Sequence, residues 1–230
     1  MLYLIVVVTG IFSLLYVPSQ IPSHGDASTM LSRIRESEVL FRLGIVAGLI
    51  CYTVFLVLPF ALYKLLHEVG RDAAVLMVAF AVASVPIAFV SLLYKFDILS
   101  LLSEADYLQA FTTDQVHARA MLLLDAYTNG VLVSQIFWGL WLLPFGYLVF
   151  KSGFLPRILG ILLMMGCFGY LIDFFGRMLF PGYTETIARF VGLPASIGEI
   201  GICLWLLIVG VRERTTAVAD HQLSAVSGGS

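Results

Sequence analysis

GLWLLPFGYLVFKSGFLPRILGILLMMGCFGYLIDFFGRML, residues 139–179, decides what kind of fold this chain adopts. Apolar residues fill it on both sides of KSGFLP at 151–156, and charge is confined to that break and to the far end. A bilayer-spanning helix needs about 20 consecutive, mainly apolar residues. Here one such run ends and another begins within a few residues. Gly153 suits the end of a helix, and Pro156 suits the first turn of the next. The stretch reads as a helical hairpin that crosses a membrane twice, with a tight turn between its arms. Near its end Asp173 and Arg177 lie four residues apart, which puts both on one helix face.

The same pattern recurs along the chain. Long apolar runs lie at 2–17, 39–63, 73–95, 119–150, 155–177 and 189–211. Hydrophobic residues make up 60% of the chain and charged residues 12%, against about 45–50% and about 25% in a soluble domain. The expected fold is therefore all-α, a polytopic membrane bundle of six transmembrane helices forming one domain over 1–214. A flexible tail follows over 215–230, ending in VSGGS. With a net charge of −2 and no block of Lys or Arg, nucleic acid is excluded as a partner class. Cys51, Cys167 and Cys203 all fall inside apolar runs and carry no zinc-like spacing. Residues 2–17 have no basic segment before them and no small-residue cleavage pattern after them. They read as a first membrane helix rather than a signal peptide.

The connections predict how the chain is threaded. Lys64/Arg71, Lys151/Arg157 and Arg212/Arg214 flank short connections at alternate ends, as expected for a multi-pass cell-membrane protein with both termini cytoplasmic. Two longer segments fall on the opposite, outer side. In 18–38, Pro18 and Pro22 are expected to stop the first helix, and Met30, Leu31 and Ile34 then share one side of a helix-competent stretch. Near 97–110, apolar residues at helical spacing among acidic ones predict a short interfacial helix. Thr112-Thr-Asp-Gln115 has the form of a capping box, which would start the fourth spanning helix near Thr113.

Four segments carry a resemblance: ESEVLFRLGIV (36–46), VPIAFV (85–90), GLWLLPFGYLVFKSGFLPRILGILL (139–163) and PASIGEIGICLWLLIVGV (194–211). In this order they resemble a widespread bacterial membrane family, domain of unknown function 4386. The resemblance implies a single six-helix membrane domain. It brings no assigned activity and no catalytic residues to carry over.

Function must then be sought in the polar residues inside the spans. A carboxylate at the bilayer centre costs about 2.5–3.5 kcal/mol on insertion scales, so such groups face protein or water and are usually paired. Asp125 and Asn129 share a face of the fourth span, and Asp173 is placed to pair with Arg177. Glu38 and Arg42 have the same spacing at the start of the second span. Glu199 has no basic residue three or four positions away in its own helix, where Ala195, Ser196, Ile202 and Cys203 stand. It is expected either to meet a cation on another helix or to be neutral.

These groups predict a ligand-binding pocket, open to the outside and lined by Asp125, Asn129, Asp173, Arg177 and Glu199, for binding or transport of a small molecule or ion. A membrane-embedded enzyme using the same carboxylates is the alternative, with a metal at His24, Asp26 or His117. A structural or regulatory membrane partner is a third reading. The sequence assigns no catalytic residue. It points to no cofactor and to no metal as resident, because metal-binding, nucleophile and phosphate-loop motifs are absent. The partners to expect are the lipid bilayer, a small molecule or ion, and a second copy of the chain in a homo-oligomer.

Overall fold

The computed structural model describes residues 1–21, 27–103 and 105–210. Among them every regular element is helical. Six helices are long and apolar enough to cross a membrane: α1 (Leu2–Gln20), α3 (Glu38–Leu66), α4 (Arg71–Leu101), α5 (Thr113–Ser152), α6 (Arg157–Leu179) and α7 (Glu185–Ile208). A shorter helix, α2 (Ala27–Glu36), lies between the first two. This is a polytopic helix bundle, and its six apolar helices imply a lipid bilayer around it.

Each spanning helix packs on the next in sequence, α1 on α3, then α3 to α7 in order, and α1 also meets α7. The chain thus closes on itself as a ring of helices. Its core holds Trp141, Phe145, Leu148, Met77, Leu92 and Leu163, each less than 2% exposed. In lipid, apolar burial gives helices little reason to associate, so close backbone packing has to do it. Gly146 and Gly160 show this at the α5–α6 contact. A Cβ on Gly146 would stand 2.6 Å from the Gly160 carbonyl oxygen, and one on Gly160 would stand 2.7 Å from that of Gly146. On the other side of α6, a Cβ on Gly169 would come within 2.1 Å of the Val191 carbonyl of α7.

The turn between α5 and α6 follows the sequence closely. Gly153 ends α5 in the left-handed region at φ 73°, a conformation with no steric cost for glycine. Pro156 caps the start of α6. At the other end of α5, the Thr112 hydroxyl accepts from the Gln115 amide, and the Gln115 side chain accepts from the Thr112 amide. The capping box is therefore formed, and α5 begins where the sequence predicts.

Two expectations need adjustment. Pro18 does not stop α1, since it sits at the first positions of a continuing turn that runs to Gln20. Just before it, Phe12–Tyr16 is wound as a π-helix, and the buried Ser13 hydroxyl donates to the Gly44 carbonyl of α3 at 2.9 Å. Pro22 lies outside the described residues. The short helix expected near 97–110 is present only as a 3-10 turn over Asp106–Ala110, because residues 97–101 continue α4.

At 40 residues, α5 is about 60 Å long at about 1.5 Å per residue, twice the roughly 30 Å of bilayer hydrocarbon. Its first turns rise beyond the other helices and meet α2. Met30, Leu31 and Ile34 of α2 are buried there with Val17, Phe41, Ile98, Ala120 and Leu123. These residues form a second, smaller core that caps one end of the bundle, while Arg33 and Arg35 face away from it.

Candidate functional site

Small residues decide where Glu199 points. Ala195, Gly198 and Ile202 are buried on the α7 face that meets α6. A Cβ on Gly198 would lie 3.1 Å from the Leu163 backbone nitrogen. Glu199 stands one residue further round the helix, so it is turned off this contact towards α1 and α3. It lies about 21 Å along α7 from Glu185 at about 1.5 Å per residue, within the hydrocarbon zone.

There it lines a cavity of about 470 Å³ between α1, α3, α5, α6 and α7. The polar lining includes Tyr3, Tyr52, Gln135, Tyr170 and Ser196, beside Trp138 and Trp141. Tyr52 stacks on Trp138 with ring centroids 6.2 Å apart, and Phe55 meets Trp141 edge-on at 5.1 Å. The Tyr3 hydroxyl and the Gln135 Oε1 are buried without a hydrogen-bond partner among the described residues. Such atoms carry a cost of about 1–3 kcal/mol each when unsatisfied. Among the described residues no ion pair and no hydrogen bond reaches Glu199. Of the two states the sequence leaves open for it, a cation on another helix is therefore not the one seen.

The five residues expected in one pocket are not brought together. Only Glu199 lines the cavity. Asp125 and Asn129 are exposed on the outside of α5. Asp125 lies about 40 Å from Ser152 along the helix, beyond the roughly 30 Å that hydrocarbon spans, and there an exposed carboxylate meets headgroups or water. Asp173 and Arg177 form an ion pair at the end of α6. Arg177 Nε donates to Asp173 Oδ1 at 3.0 Å and to Oδ2 at 3.2 Å. Its Nη1 donates to Glu185 Oε1 at the start of α7, at 2.8 Å. This network ties two helix ends, the single Nε–H shared between the two Asp173 oxygens and an Nη1–H given to Glu185. Glu38 and Arg42 pair at 2.7 Å on an exposed surface.

His24 and Asp26 lie outside the described residues. His117 stands in the early turns of α5, away from the cavity lining.

Several residues escape a reading of the sequence. Gln135 sits four residues from Val131 and three from Trp138, and all three line the cavity. That i, i+4, i+7 stripe was available in the sequence as a signal. Tyr3, Tyr52 and Tyr170 come from three separate helices and share no sequence pattern. Lys95, which looks like a span-end cation, is only 4% exposed. Its Nζ lies 4.0 Å from the Tyr127 ring centroid and 5.8 Å from that of Phe41. Aromatic faces attract cations at such distances. No carboxylate pairs with it among the described residues.

Comparison with known proteins places the chain. The family model described as "Domain of unknown function (DUF4386)" matches residues 1–210, and the chain belongs to that family. It is similar to an uncharacterized protein of Archaeoglobus fulgidus, with 31% identity over 150 residues. That match covers 65% of this chain and 73% of the relative. No solved structure matches it.

Proposed function

We propose that this member of the family binds a small molecule in the intramembrane cavity, with Glu199, Gln135 and Tyr3 as its polar contacts. The observation that carries the reading is the pair of buried, unpartnered polar atoms, Tyr3 Oη and Gln135 Oε1, in the same cavity as an unpaired carboxylate. Buried polar groups normally find partners, and here a ligand would supply them. The cavity volume of about 470 Å³ falls in the range of about 300–1,000 Å³ typical of small-molecule sites. Asp173 and Arg177 act in this reading as a tie between helices, because their hydrogen bonds are made to each other and to Glu185.

Transport is favoured over static binding by a second cavity of about 220 Å³ on the far side of Tyr3, towards the uncapped end. Tyr3 lines both, which places its side chain on the boundary between them. The basic residues Lys64, Arg71, Lys151 and Arg157 cluster at the uncapped end, which supports a cytoplasmic position for that end and for both termini.

Trp138 and Trp141 provide the assay, because both line the cavity and the chain has only three tryptophans. The purified protein in nanodiscs is titrated with a panel of neutral, anionic and cationic aromatic probes while tryptophan emission is followed. Saturable quenching is expected for at least one probe, and the double variant Val131→Phe/Ser196→Phe, which puts two rings into the cavity, should weaken it markedly. Quenching that never saturates, or that is unchanged in the double variant, would refute the reading.

A further inference from the structure

The cavity has a charge character of its own. Its lining holds one acidic residue, Glu199, and no Lys, Arg or His. Among the described residues, the buried Lys95 is committed to the Tyr127 ring at the capped end, and the more exposed Arg177 to Asp173 and Glu185. The same lining holds the rings of Tyr52, Trp138, Trp141 and Tyr170. An aromatic ring presents a negative face, and a set of rings around a site recognises ammonium-type cations. An acid without a protein cation, which a bound cation would hold in its ionised form, and aromatic walls thus select for the same sign of charge, and they discriminate against anions.

The mouth of the cavity defines the rest of the ligand. Its exposed lining is apolar at Ile11, 44% exposed, Leu15, 65%, and Ile200, 40%, while the exposed Ser196 hydroxyl donates to the Gly192 carbonyl of its own helix at 3.2 Å. Leu15 lies about 20 Å along α1 and Ile200 about 22 Å along α7. Both positions fall within the roughly 30 Å of hydrocarbon, so these side chains meet lipid tails. A molecule entering past them comes sideways out of the bilayer. The π-helical turn at Phe12–Tyr16 widens α1 beside this mouth, and such turns often mark functional sites.

We propose that the ligand is a lipophilic organic cation, taken laterally from the membrane and held with its charge against Glu199 and the surrounding rings. This inference rests on the binding reading above and adds the sign of the charge and the route of entry.

The test uses two probes of one shape and opposite charge, tetraphenylphosphonium and tetraphenylborate. Binding to the full-length protein in nanodiscs is measured by tryptophan quenching, with empty nanodiscs giving the contribution of bilayer partition. Tetraphenylphosphonium should bind saturably and tetraphenylborate should not. Glu199→Gln should weaken the cation at least tenfold, while Glu199→Asp, which keeps an ionisable carboxyl, should retain most of the preference. Monodisperse elution of both variants establishes that they fold. If Glu199→Gln does not elute as folded protein, Trp138→Leu takes its place and should weaken the cation alone. Equal binding of both probes, or cation binding indifferent to these changes, would overturn the charge inference and leave the binding reading standing. If neither probe binds, the inference falls, and the neutral members of the panel decide whether the binding reading falls with it.

Discussion

Replacing Asp173 by Asn removes the carboxylate whose two oxygens share the Arg177 Nε–H, at 3.0 and 3.2 Å. The Asp173 side chain is 12% exposed and that of Arg177 35%. Breaking a fully buried pair costs about 3–5 kcal/mol, because a charge is left without compensation. Two features place this pair below that range. Arg177 keeps Glu185 as a partner at 2.8 Å, and its own exposure lets water reach the guanidinium. The Asn side-chain oxygen can also still accept from the Arg177 Nε–H. The expected loss is that of a hydrogen bond to a charged group, about 1.5–3 kcal/mol. Denaturant or thermal unfolding in a mild detergent measures it, and the double variant Asp173→Asn/Arg177→Gln closes the cycle. The double variant should lose less than the two single variants together. Strictly additive losses would show that the two residues do not interact and would refute the reasoning. Because the pair lies outside the cavity, Asp173→Asn should also leave probe binding unchanged.

Further outcomes follow from the same geometry. Gly169→Ala should destabilise by about 1–3 kcal/mol through overpacking, because its Cβ would meet the Val191 carbonyl. Gly192→Ala, with nothing within 4 Å of the new Cβ, should be neutral or gain up to about 1 kcal/mol from helix propensity; unfolding midpoints compare the two. Thr112→Ala removes the capping hydroxyl and should cost about 1 kcal/mol, with faster amide hydrogen exchange in the first turn of α5. In a background lacking Cys51, Cys167 and Cys203, a cysteine at Ser103 should react with an impermeant reagent outside intact cells, and one at Ser152 should not. The reverse labelling would invert the orientation.

What the sequence alone determined is local or compositional. Runs of apolar residues long enough for a bilayer identify the spans, because lipid leaves the backbone no partner but its own helix. The capping box at Thr112–Gln115, the Gly153 terminus and the Asp173–Arg177 and Glu38–Arg42 pairs are all contained within a few residues, where helix geometry fixes who meets whom. Rotation of one helix against another is a different matter. A membrane helix is apolar on its lipid face and on its packed face alike, so no amphipathic stripe says which way it is turned. Close glycine contacts such as Gly169 with Val191 and Gly146 with Gly160 set that rotation, and they exist only between helices. They turn Asp125 outwards and Glu199 inwards, bury Lys95 among rings, and bring Tyr3, Tyr52, Gln135 and Tyr170 from four helices to one cavity. Only the tertiary structure decided these placements, because the contacts that fix them join residues far apart in the chain.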